Sequence, residues 1–167
     1  MPRGLKETSS LIVISANVTE TAANTFTSAK VDLQLNPLDN EVFIVYGIDM
    51  DLQQPDSVDA TDIRIEGSLS TTERTSVGSL ADSNVMAHSR QVIQNQTTNA
   101  VYTDFSSDSA PPTMLEYLGI IATNDYYLNI DGGNNGTAKT LAARVYGVRA
   151  KADAAVYAAL VQSEVLS

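Results

Sequence analysis

The chain has 167 residues, 43% of them apolar and 18% charged, with 20 acidic against 10 basic side chains and a net charge of −10. That length and balance describe one globular domain able to bury a core without covalent staples. Cysteine is absent, which removes disulfide frameworks, thiolate zinc sites and cysteine nucleophiles. The acidic excess also opposes a nucleic-acid backbone or an anionic membrane surface.

In chain order, Met1 to Ser10 reads as a flexible N-terminal arm whose basic side chains are Arg3 and Lys6, beside Glu7. Leu11 to Ile14 is a strand-sized apolar run, and no apolar run approaches the roughly 18 residues a spanning helix needs, so no membrane insertion is expected. A strand is expected from about Thr25 to Leu35 with Val31, Leu33 and Leu35 inward. Asn36-Pro37-Leu38-Asp39-Asn40 then forms a turn, because proline fixes its backbone angle and Asn and Asp bond local amides.

The clearest period of two is Val42, Ile44, Tyr46, Ile48, Met50 and Leu52, which predicts one apolar face opposite Phe43, Val45, Gly47, Asp49 and Asp51. Alternation resumes at Ile63, Ile65, Gly67 and Leu69. Further strands are expected near Val85–Gln94, Ala100–Phe105, Leu115–Ala122 and Tyr126–Asp131, with the Pro111-Pro112 pair marking a loop. Asp131 to Gly136 is the strongest turn signal, since Gly and Asn tolerate positive φ. A strand from Lys139 to Lys151 follows, with Leu141, Ala143, Val145 and Gly147 on one face. Val156, Leu160 and Val161 then fall at helical spacing behind Asp153, a suitable N-cap. Roughly eight short strands without a longer repeat predict an all-β antiparallel sandwich. Its extent is residues 11–152, after the arm at residues 1–10 and before a short C-terminal helix at residues 153–167, packed on the domain or on a neighbouring subunit.

The chemical inventory is thin. His88 is the only histidine and reads as an ordinary strand residue, with no nucleophile elbow to complete a hydrolase triad. The acidic stretch from Asp39 to Glu66 offers Asp49, Asp51, Asp56 and Asp59 as candidate calcium ligands by virtue of their oxygen donors, although the spacing is not that of an EF-hand. Lys139, Arg144, Arg149 and Lys151 lie at mixed spacing and do not make one basic face. Two carboxylates across a sandwich are also the minimum for a glycosidase, but the chain has no Trp to stack on sugar rings. Tyr117, Tyr126 and Tyr127 read as core and interface packing. No enzyme activity and no bound cofactor are expected.

Three stretches carry a resemblance: Glu116-Tyr117-Leu118-Gly119-Ile120-Ile121, then Asp125 through Gly136, then Ala142 to Ala152 ahead of the Ala-rich helix. Their pattern resembles the single jelly-roll capsid proteins of viruses, of the marine phage and archaeal virus type. The resemblance implies a jelly-roll sandwich and a virion structural protein, major capsid or decoration, acting by symmetric self-association into a homo-oligomer or shell alongside other virion proteins. The weak basic character of the arm implies no direct nucleic-acid binding. The alternative is a carbohydrate- or receptor-binding sandwich with calcium as its candidate ligand.

Overall fold

The computed structural model describes residues 3–106 and 115–166; the Pro111-Pro112 pair lies outside them. Ten strands and one α-helix form among the described residues: β1 (Leu5–Glu7), β2 (Ile12–Thr19), β3 (Thr27–Asp32), β4 (Glu41–Leu52), β5 (Asp62–Ser70), β6 (Val85–Gln96), β7 (Asn99–Ser106), β8 (Gly119–Ile121), β9 (Asp125–Gly133), β10 (Thr140–Ala152) and α1 (Ala154–Val165). They build two antiparallel five-stranded sheets. One runs β1-β10-β4-β8, with β2 continuing the edge of β10 beyond β1, and the other runs β3-β9-β5-β6-β7.

The sheets face each other across a shared core. Val18, Phe43, Ile48, Leu141 and Val145 from the first sheet pack against Ile65, Leu69, Ala87, Leu128 and Ile130 from the second. Strict alternation explains why β2 contributes Ile12, Ile14, Ala16 and Val18 to this core while Val13, Ser15 and Asn17 face water. Each large aliphatic side chain so buried contributes about 1.5–3 kcal/mol.

Within the arm expected at residues 1–10, a short strand is tied to the domain. Leu5–Glu7 pair with Ala150–Ala152, and Leu5 is buried. The anchor is apolar: Leu5 joins a second cluster with Val42, Ile44, Ala122, Val148, Ala150 and Ala152 on the outer side of the first sheet. The helix seals that cluster through Val156, Tyr157, Leu160 and Val161, so α1 packs on its own domain. Asp153 is its N-cap, with Oδ1 accepting from Val156 N at 2.8 Å.

The single apolar face expected on β4 is split. Tyr146 pairs with Gly47 and Gly147 with Val45, so Tyr46 is an extra residue in a β-bulge. The insertion shifts the side-chain phase by one. Ile48, Met50 and Leu52 therefore share the inter-sheet core with Phe43 and Val45, while Val42, Ile44 and Tyr46 lie with the cluster under the helix. On β10 the expected face holds, with Leu141, Ala143 and Val145 inward.

The Asp131–Gly136 turn is a connection between sheets, since β9 and β10 lie in different ones. Asn134 has φ 62°, and buried Asn135 is held from several sides: its N donates to Asn24 Oδ1 at 2.7 Å, its Nδ2 to the Arg64 carbonyl at 2.9 Å, and its Oδ1 accepts from Asp56 N at 3.1 Å. Three loops are thereby fastened at one end of the sandwich.

Candidate assembly surface

The four carboxylates proposed for calcium are placed apart in their chemistry. Asp49 and Asp51 alternate on the exposed outer side of β4, where Tyr146 Oη donates to Asp49 Oδ2 at 3.0 Å. Asp56 is engaged by Lys139 Nζ at 2.7 Å and by Gly136 N at 2.8 Å, and Lys139 holds its carboxyl below the ordinary value, with help from the Gly136 amide. Asp59 is exposed in the turn before β5. Among the described residues, no group of three or more His, Asp and Glu side chains is placed to hold a metal ion.

The basic residues on and just before β10 are also dispersed. Lys139 is buried against Asp56, Arg149 reaches Glu41 at 3.1 Å and the Leu33 carbonyl at 2.6 Å, and Lys151 lies 3.2 Å from Asp39. Arg144 stands exposed opposite Asp49 on the outer face. Each of the first three is consumed by a loop or strand of its own domain, so β10 presents no basic stripe.

His88 is buried in β6. It lies on the outer side of the second sheet, with Nε2 3.7 Å from Glu66 Oε2 and its ring tilted against Phe105 at a centroid distance of 6.1 Å. The His88 hydrogen bond holds the Glu66 carboxyl below its ordinary value. Two buried acids with no distinguishing sequence pattern act as loop clamps. Glu20 accepts from Gly132 N at 2.8 Å and Lys139 N at 3.0 Å. Glu164, on the helix, accepts from Ala122 N and from Thr123 N at 2.6 and 2.9 Å.

Apolar exposure gathers at the sheet margins. β7 is the outermost strand of the second sheet, and Val101, Tyr102 and Phe105 on it are 54%, 51% and 45% exposed. Tyr102 pairs with Ile93 and Phe105 with Arg90, so the two aromatics project to opposite sides of the strand. Apolar groups therefore flank both sides of this edge. The opposite edge, β3, is guarded by charge, with Lys30 3.3 Å from Asp125 and 4.0 Å from Asp32, the usual defence of an edge strand. On the first sheet the edge strand β2 and the segment before it expose Val13 and Leu11. Tyr126, by contrast, is a fully buried core residue, and Tyr117 joins the cluster under the helix.

A signal for β7 was present in the sequence: Val101, Tyr102, Thr103 and Phe105 form a strand with one charge, Asp104, among them. Alternation could not assign it a buried face because residues 99–105 are exposed along the whole strand. Comparison with protein-family models and with curated proteins finds no match to the chain.

Proposed function

We propose that the chain is a virion structural protein with a jelly-roll fold, working by self-association as a shell or decoration subunit. The strand order supports the fold. Setting aside β1 and β7, the remaining strands pair as β2 with β10, β3 with β9, β4 with β8, and β5 with β6. That is the pairing of one long antiparallel hairpin rolled so that successive rungs fall in alternate sheets, the arrangement of a jelly roll.

The observation that carries the assembly reading is the β7 edge. A sheet margin with apolar groups on both sides invites continuation into another chain, and β7 carries the single charge Asp104 where β3 has the pair Lys30 and Asp32. The acidity of the chain makes genome condensation an unsuitable role for it and points to contact with protein. Sedimentation of Val101→Lys and Phe105→Lys variants tests the reading. Both substitutions are at exposed sites, so circular dichroism should be unchanged while association falls. Association that is indifferent to both charges would remove the edge from the account.

A second reading, a carbohydrate- or receptor-binding sandwich, is favoured by one feature. A shallow groove of about 230 Å³ over Ala142 is walled by Ser15, Asp49, Asp51 and Arg144, polar groups suited to hydroxyls. Chemical shifts of those residues that stay fixed across a glycan panel would leave it without support.

A further inference from the structure

A shell needs more than one kind of contact, since a single isologous contact closes at a dimer. Resting on the assembly reading above, we propose that Leu38 and the apolar hole beside it form a second, reciprocal contact between two copies of this chain. Leu38 is 94% exposed, more than any other large apolar side chain of the described residues. It is presented on a rigid turn. Asn36 caps Leu38 N with its Oδ1 at 3.0 Å and donates from Nδ2 to Asp39 at 2.8 Å, while Asn40 closes the turn at φ 52° with its N–H on the Pro37 carbonyl. Asn40 is itself fixed by Ala152 N, which donates to its carbonyl at 3.0 Å. A turn so thoroughly bonded holds its leucine in water in one position, which is the preorganisation a binding knob requires.

The hole adjoins the knob. It has a volume of about 260 Å³ and is lined mainly by Leu35, Pro37, Ala122, Tyr157 and Val161, with Thr123 and Asn124 at its wall, in the seam between the turn and α1. Pro37 belongs to its wall and is the chain neighbour of Leu38, so knob and hole share one surface. A two-fold axis passing between them places the Leu38 of each copy in the hole of the other. Charge also favours a second copy here. The chain carries −10 overall, which opposes self-approach. Beside the turn, however, Asp39 is paired with Lys151 at 3.2 Å and Glu41 with Arg149 at 3.1 Å, so this surface meets its own image with its nearest charges neutralised.

The absence of native cysteine makes the test clean. L38C and V161C proteins, each matched to the parent in thermal melting, are mixed under mild oxidation and separated without reductant. The expected product is the mixed disulfide, in excess over either homodisulfide. L38D, at a side chain 94% exposed, should weaken self-association roughly tenfold or more, the cost of withdrawing one or two buried leucines. If the parent associates but no mixed disulfide forms, or L38D associates as tightly as the parent, the contact is overturned and the assembly reading stands. If the parent itself never associates, the assembly reading falls and this contact with it.

Discussion

Lys139 Nζ lies 2.7 Å from Asp56 Oδ1, and the two side chains differ in burial: 5% of the lysine side chain is exposed against 35% of the aspartate. Removing either breaks the same bond but strands a different charge. Asp56→Ala leaves a buried ammonium, and Lys139→Met leaves a carboxylate still open to water and held by Gly136 N. We expect Asp56→Ala to cost about 2–4 kcal/mol and Lys139→Met about 1–2 kcal/mol, read by urea denaturation at neutral pH. Because the Asp56 carboxyl is held below its ordinary value, its share of stability is present above pH of about 4 and is lost as pH falls further. Asp56→Ala should flatten that acid limb.

Stability should also fall in alkali. The Glu7 hydrogen bond pushes the Tyr46 phenol up to about 12, and burial pushes Tyr126 to about 12. Unfolded tyrosines ionise near pH of about 10, so the stability these groups contribute is complete below that pH and is lost as pH rises through 12. Tyr126 Oη finds no partner among the described residues, which makes Tyr126→Phe an informative variant. It should match the parent or exceed it by up to about 1 kcal/mol at neutral pH, and the advantage should widen between pH 10 and 12, measured by denaturant midpoints across pH. A large loss at neutral pH would contradict this.

Gly147 is required for close approach. A Cβ there would collide with the Ile44 carbonyl oxygen and lie 2.6 Å from Phe43 Cε1, opposite the bulge on β4. Gly147→Ala should destabilise by about 1–3 kcal/mol or more, as seen in thermal melting. The exposed Ala158→Ser on the outer side of α1 should change it little.

These sites also show what the sequence could and could not convey. The strand from Tyr126, the strand from Lys139 and the Asp153 cap were legible because period, turn residues and capping chemistry agreed locally. The phase change at Tyr46 was not, because a bulge is set by how β4 meets β10, and an uninterrupted run of apolar residues looks the same with or without one. The Leu5 anchor was hidden for a similar reason, being one apolar residue among polar neighbours. Glu20 and Glu164 looked like surface acids, since the amides they hold lie more than forty residues away in the chain for Glu164 and over a hundred for Glu20. Leu38 read as part of a turn, and only its exposure beside an apolar hole gave it a second meaning.

Self-association itself is tested most directly by multi-angle light scattering of the purified chain over a wide concentration range in physiological salt. The account predicts a discrete mass that is a multiple of the chain mass, persisting on dilution into a defined dissociation range. A mass equal to one chain at every concentration would contradict it.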